Sequence, residues 1–428
     1  MSTAAKATGS SEPTPERWVS LADRLARAIV LASLRRVGRG RLSIRTPDGA
    51  VHRFKGAVPG PEAAITVHDT RFFRRMLLDG EMGAGEAYIR GEWSADSPME
   101  AARFGILNRR FLRPLVPLLW PAAAAAWLAH RARPNTKTGS RRNITKHYDL
   151  GNDFFALFLD PSMTYSCAYF DEYALRADEE ARGRSGIDAA TLEEAQRAKY
   201  RLLASKAGLR PGARVLEIGC GWGGFAELAA SEFGCRVTGL TISQEQAAYA
   251  RERIDRAGLA DRVSIELTDY REVTGRYDAI VSIEMLEAVG HRYLPTYFEK
   301  CAEALNPGGR AVIQVITIPD NRYLRYRLRP DYIQRFIFPG AHLPSMGAIG
   351  RALRRTELRI VHREDLAPHY GPTLAAWRER FLRRRNALFK LGFDDSFLHR
   401  WEFYFAYCEA AFRTRYVADW QLVLERKG

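Results

Sequence analysis

Ten residues, Val215 to Gly224, read V-L-E-I-G-C-G-W-G-G, and their types suit close approach to a ligand. An apolar run ends in Gly219, Gly221, Gly223 and Gly224, after which Phe225, Ala226, Leu228, Ala229 and Ala230 recur at helical spacing. That order predicts a strand, a tight turn and a helix start. Glycine leaves no Cβ between backbone and ligand, although many such turns need it for steric reasons alone. Glu217 ends the strand, where a carboxylate could receive an amino or ribose group. No Lys-Ser or Lys-Thr pair follows, which argues against a phosphate-cradling P-loop, and the spacing G-x-G-x-G-G departs from the dinucleotide pattern.

The turn needs a scaffold, and the flanking sequence predicts one. Strands and helices alternate: 214–218, 225–233, 236–240, 244–257, 263–267, 278–283, 294–305 and 310–315, preceded by a helix over 191–207. Alternation of this kind implies a mostly parallel sheet with helices on both faces, and ligands bind beyond the strands' carboxyl ends. Glu217, Gly219, Thr241, Asp269, Glu284 and Gln314 then surround one crevice. Thr241 and Gln246 could hold a ribose by neutral hydrogen bonds, or serve only at a helix N-terminus with Ser243. Asp269 could accept from an adenine amine with Tyr270 packed on the ring; a lone Asp is as readily a turn residue.

The chain has 428 residues, 46% hydrophobic and 27% charged, enough for two or three folded domains. Lys and Arg number 65 against 50 acids, a net charge of +15, which favours an anionic partner such as nucleic acid or an acidic lipid surface. A solvated basic surface would look the same. The five cysteines are scattered without a C-x-x-C pair, so no metal site is expected and a reducing compartment fits.

Residues 1–16 are polar, lack the apolar core of a signal peptide and are expected to be disordered. Residues 17–131 form a separate unit. It opens with a basic amphipathic helix over 17–37, suited to a membrane surface or to a packed core. A hairpin over 41–56, a strand near 64–68, and a helix followed by a glycine-punctuated segment over 71–93 come next. Residues 111–129 are strongly apolar but carry Pro114, Pro117 and Pro121, which favours an interfacial or buried helix over a membrane span. Residues 132–143 read as a linker. Within 144–428, residues 319–346 interrupt the alternation with arginines and aromatics and suggest a lid. Helices over 373–390 and 397–413 and a strand over 419–425 close the chain.

Several separated segments resemble the cyclopropane-fatty-acid synthase family: H-Y-D-L-G-N-D-F-F, M-T-Y-S-C-A-Y-F, the glycine turn, T-I-S-Q-E-Q, E-M-L-E-A-V-G and Y-I-Q-R-F-I-F-P-G-A-H-L-P-S. E-x-G-x-G-x-G itself resembles the first motif of S-adenosylmethionine (SAM)-dependent methyltransferases, and G-E-A-Y-I-R-G-E-W is similar to the N-terminal domain of phospholipid-acting members. The resemblance implies an α/β fold: a Rossmann-like SAM-dependent methyltransferase domain with a smaller, lipid-associating N-terminal α+β domain. It implies methyl transfer to the cis double bond of an unsaturated phospholipid acyl chain, giving a cyclopropane, or in some members a methylene branch later reduced to a methyl branch. SAM contacts would be Tyr165, Ser166, Glu217, Gly219, Gly221, Thr241, Gln246, Asp269 and Tyr270. A bicarbonate base would be held by Cys167 and Ile316 through their backbones and by Glu287, Gln314 and Tyr370. Glu284 competes for the role of Glu287. Two departures bear on that base: Gln314 stands where members usually carry His, and Ala288 interrupts E-H-V-G. Rival readings are nucleic-acid methylation, weakened by the absence of an N/D-P-P-Y/F motif and of a Pro-Cys nucleophile, and a SAM- or lipid-binding protein that has lost activity through the Gln314 change. The expected setting is the cytoplasm, peripherally at the anionic inner membrane surface; a homodimer is left open.

Overall fold

The structure is a computed structural model that describes residues 20–111, 150–180 and 187–427. The expectations for the polar N-terminus, the apolar stretch after Phe111 and the linker lie outside the described residues.

The N-terminal unit runs α1 (Leu21–Leu34), β1 (Arg39–Arg45), β2 (Val51–Lys55), β3 (Val58–Val67), α2 (Arg71–Asp79), α3 (Glu81–Ile89), β4 (Trp93–Ala95) and α4 (Pro98–Asn108). Its sheet has the order β2-β1-β3-β4. The expected hairpin is present, pairing Arg41 with Lys55 and Arg45 with Val51. β3 then runs parallel to β1, so the chain must cross over at once; Gly56 allows this, because a Cβ there would lie 2.3 Å from the Arg39 nitrogen. α1 packs inward through Ala26, Val30 and Leu34 and leaves Leu21 and Leu25 exposed.

The glycine-punctuated segment is a helix, α3. Its glycines serve close packing: a Cβ on Gly83 would sit 2.0 Å from the Arg75 carbonyl oxygen of α2, and one on Gly85 would sit 2.5 Å from the Tyr332 ring.

The second unit contains α5 (Asn152–Ala156), α6 (Glu172–Glu180), α7 (Ala189–Lys206), β5 (Arg214–Ile218), α8 (Gly224–Phe233), β6 (Arg236–Thr241), α9 (Gln244–Arg256), β7 (Val263–Leu267), β8 (Tyr277–Ile283), α10 (Leu294–Ala304) and β9 (Leu305–Thr317). There follow α11 (Asp320–Leu328), α12 (Tyr332–Phe336), α13 (Met346–Leu353), β10 (Leu358–Asp365), α14 (Ala367–Arg383), α15 (Arg385–Lys390), α16 (Asp395–Arg413) and β11 (Ala418–Arg426). The sheet order is β10-β11-β9-β8-β5-β6-β7, with β5 to β9 parallel and β11 antiparallel to both its neighbours. This is the Rossmann-like α/β sheet expected. β10 was not anticipated: it is an edge strand whose middle is exposed, so it lacks the alternation that marks a half-buried strand.

The insertion after β9 folds back over the strand ends. The Ile318 N–H donates to the Pro344 carbonyl at 3.0 Å and the His342 N–H to the Glu287 carbonyl at 2.7 Å. The N-terminal unit docks on the same region. The Tyr88 hydroxyl donates to Glu402 at 2.9 Å, and Asp79 pairs with Arg329 and Arg335, both at 3.3 Å. Among the described residues no helix is long and apolar enough to cross a membrane.

Gly85→Leu should lower Tm in thermal unfolding. The gain in helix propensity is under about 1 kcal/mol, whereas overpacking against Tyr332 and Phe403 costs about 1–3 kcal/mol. An unchanged or raised Tm would mean that the contact yields freely.

Candidate active site

The turn after β5 is latched to β6: the N–H groups of Gly219 and Cys220 both donate to the Leu240 carbonyl, at 3.0 and 2.8 Å. Gly219 and Gly221 have φ of +84° and +53°, where a side chain is strained. A Cβ on Gly219 would strike Met285 at 2.6 Å, while one on Gly221 would meet nothing within 4 Å among the described residues. Gly221 therefore presents bare backbone to open space. That space is a cavity of about 660 Å³, lined by all nine residues expected to hold SAM.

The cavity wall has a cofactor's requirements left over. Glu217 is buried, and its Oε2 has no partner among the described residues. Burial pushes its carboxyl up to about 8. Thr241 and Gln246 stand at the start of α9: Thr241 Oγ1 donates to Gln246 Oε1 at 3.0 Å and accepts from the Ser243 N–H at 3.2 Å, and Ser243 caps the helix. Asp269 accepts two bonds from the Arg271 guanidinium, at 2.8 and 2.6 Å, and caps a 3-10 turn, leaving it less free than Glu217. Tyr270 packs edge-on against Tyr297, the Tyr165 hydroxyl donates to that of Tyr404 at 3.1 Å, and Ser166 accepts from Lys199 at 2.7 Å. An orphaned acid beside a bare glycine backbone on one wall fits SAM.

The five residues expected around a bicarbonate divide between two glutamates. The Cys167 N–H and Gln314 Nε2 each donate to Glu284 Oε1 at 2.8 Å, and the Tyr370 hydroxyl donates to Oε2 at 2.5 Å. The Ile316 N–H donates instead to Glu287 Oε1 at 2.5 Å. The side-chain carboxylate of Glu284 thus occupies the donors that the resemblance gives to a free anion. Glu284, Glu287, Ile316 and Tyr370 line the cavity; Cys167 and Gln314 stand behind them. The Cys167 thiol is fully buried and pushed well up, so its part is played by its backbone.

Glu284 has φ of +49°, a left-handed backbone that costs a non-glycine residue about 1–3 kcal/mol. Behind it runs a relay of amides. Lys206, a pure donor, bonds Gln421 Oε1 at 2.5 Å; Gln421 Nε2 then donates to Gln314 Oε1 at 3.1 Å. Gln314 is left with Nε2 facing Glu284 and, at 3.0 Å, Asp419.

Three enclosed acids, half-buried Glu284 with buried Glu287 and Asp419, cannot all ionise beside the single charge of Lys199. Burial raises each of them, Glu287 to about 8, and lowers Lys199 to about 8. Glu284 has three donors, Glu287 and Asp419 one each, so the negative charge resides on Glu284. Glu287 Oε2 is without a partner among the described residues.

Lys199, Asp419 and Gln421 were not singled out from the sequence. The signals were present: Lys199 stands on the apolar stripe of α7 with Leu192, Ala195 and Leu203, and Asp419 and Gln421 share one face of an otherwise apolar strand.

The raised Glu217 carboxyl makes stability depend on pH. The folded state holds this proton more tightly than the unfolded state, so stability falls as pH rises from about 4.5 toward 8. Without ligand, Glu217→Gln should therefore raise Tm at pH 8 and leave it near the parent's at pH 4; an equal shift at both would refute a titrating Glu217.

Sequence and structure comparisons show the family and the fold. Residues 135–422 match the family described as mycolic acid cyclopropane synthetase. The chain is 43% identical over 365 residues to the tuberculostearic acid methyltransferase UfaA1 of Mycobacterium tuberculosis, covering 83% of this chain and 81% of that one. It is 34% identical over 378 residues to the cyclopropane-fatty-acyl-phospholipid synthase of Escherichia coli, covering 85% and 88%. The solved mycolic acid cyclopropane synthase CmaA1, complexed with SAH and CTAB, superposes with a TM-score of 0.60 at 29% identity, covering 67% of this chain and 98% of that one. The chain belongs to the cyclopropane synthase family of SAM-dependent methyltransferases.

Proposed function

We propose that the protein methylates the cis double bond of an unsaturated acyl chain carried by a membrane phospholipid, and that Glu284 accepts the proton given up by the added carbon. The observation that carries this is the Glu284 carboxylate, fixed by three donors and facing the cavity beside the glycine turn.

SAM, when bound, supplies an electrophilic methyl group. The chain's own residues do the rest. Glu217, Gly219, Gly221, Thr241, Gln246, Asp269, Tyr270, Tyr165 and Ser166 bind and orient the cofactor. Tyr165, Phe338, Tyr404 and Phe412 give the cavity aromatic walls, which exclude water and favour the positive charge that develops on the alkene. As the new carbon–carbon bond forms, the second alkene carbon becomes cationic, and Glu284 takes one hydrogen of the added carbon as a proton. The electrons of that C–H bond close the ring. The basic surface supports action at the cytoplasmic face of an anionic membrane.

Family membership supports the cyclopropane. A second reading is a methylene branch, formed when a hydride shifts to the cation before the proton leaves. It is favoured by the three hydrogen bonds that weaken Glu284 as a base, since a slower base lengthens the life of the cation. The relative at 43% identity is named for methyl transfer, not ring formation.

Incubation with SAM and unsaturated phospholipid vesicles should add one CH2 per acyl chain by mass spectrometry, as a ring or as a new alkene. Glu284→Gly, which suits the left-handed backbone, should lower turnover about a hundredfold, and added bicarbonate should restore part of it. Methylation of nucleic acid, or a Glu284→Gly protein with parental turnover, would overturn the proposal.

A further inference from the structure

The cavity extends beyond the methyltransferase unit. It continues into the N-terminal unit, where Leu42, Ile44, Ile65, Phe72, Trp93 and Phe104 line it. Protein cores are ordinarily filled to crystal density, so an apolar hollow within one is space for an apolar ligand. One wall is built thin. Ala101, Ala102 and Gly105 of α4 all line the cavity and are half-buried. Gly105 lies within the helix, where alanine would be more stable by about 1 kcal/mol. Among the described residues a Cβ there would meet nothing within 4 Å, so none of these neighbours requires the glycine; what it preserves is the hollow beside it.

Between the two apolar stretches the lining becomes charged. Arg322, Arg325 and Arg329, at i, i+3 and i+7, share one face of α11 and its end, and all three line the cavity. α11 leads away from Ile316 and Ile318 beside the catalytic glutamates toward Glu81 at the start of α3. Arg109, just after α4, joins them, and all four arginines act electrostatically on Glu81. Arg322 stacks over the Tyr416 ring at 3.2 Å and Arg329 pairs with Asp79 at 3.3 Å. The acids here are Asp79, Glu81 and Asp331, three against four lining arginines, and Arg335 also pairs with Asp79 at 3.3 Å, so the girdle is positive.

Apolar, cationic, apolar is the pattern of a two-chained amphiphile with an anionic centre. We propose that the site takes an entire diacyl glycerophospholipid. Its phosphate lies at the arginine girdle, one acyl chain lies beside Glu284, and the other fills the N-terminal unit beside Gly105. The proposal rests on the methyl-transfer reading and adds to it a role for the N-terminal unit: it holds the chain that does not react. A single fatty acyl chain would leave one arm empty.

The test compares methyl transfer to palmitoyl-oleoyl-phosphatidylglycerol and to oleoyl-lysophosphatidylglycerol, each in detergent micelles with SAM. Gly105→Phe, which plugs the N-terminal arm, should lower the ratio of kcat/KM for the diacyl over the monoacyl substrate by about tenfold. An unchanged ratio overturns the proposal. Should that variant fail to fold, a phospholipid with a diazirine at the end of its saturated chain decides with the unaltered protein. Crosslinks to residues 98–108 support the two-armed site, and crosslinks confined to residues 284–416 overturn it. If the unaltered protein methylates neither substrate, the functional reading falls first and takes this proposal with it.

Discussion

A negative charge buried far from water must be surrounded by donors or be neutralised, and most of the catalytic half is arranged around that demand at Glu284. The residue sits just past the end of β8 in a backbone conformation that glycine adopts freely. Its carboxylate is met by the Cys167 backbone, the Gln314 amide and the Tyr370 hydroxyl, which come from three separate parts of the chain. Lys199, buried on α7, supplies the nearest full positive charge without a direct bond to Glu284, so it offsets the charge without quenching the base. The parallel sheet brings these groups together because its strand ends open on one side.

The same demand explains the polar inlay in an otherwise apolar strand pair. Gln314 and Gln421 face each other across β9 and β11 with their amides in a single orientation, fixed at one end by the ammonium of Lys206. Amides carry no net charge, so they orient the carboxylate without competing for its proton. The folded-back insertion and the docked N-terminal unit complete the enclosure of the cavity.

Much of this was legible in the sequence where the signal was local. The glycine turn, the alternating strands and the crevice residues Glu217, Gly219, Thr241, Asp269 and Glu284 depend on neighbours a few positions away, and they fell where the spacing put them, whereas Gln314 stands behind the wall. α3 was read as a punctuated segment because Gly83 and Gly85 mean a turn or a contact, and the contact partner Tyr332 lies in another unit. β10 was silent because an exposed edge strand carries no burial pattern. The resemblance supplied Cys167, Gln314 and Tyr370 as donors but not their acceptor. Glu284 entered only as a competitor of Glu287, since nothing in linear order shows that three distant donors share one carboxylate. The N-terminal hollow was equally invisible, because a lining leucine and a core leucine are spelled alike.

The left-handed backbone at Glu284 has an implication for how such a site can arise. Glycine is the residue that conformation accepts without strain, and glycine and glutamate codons can differ by one base. On the proposed mechanism, an ancestor that borrowed a dissolved anion for each turnover and a descendant that carries its own would stand a single mutation apart. The descendant's rate would no longer follow the carbon dioxide content of the cell.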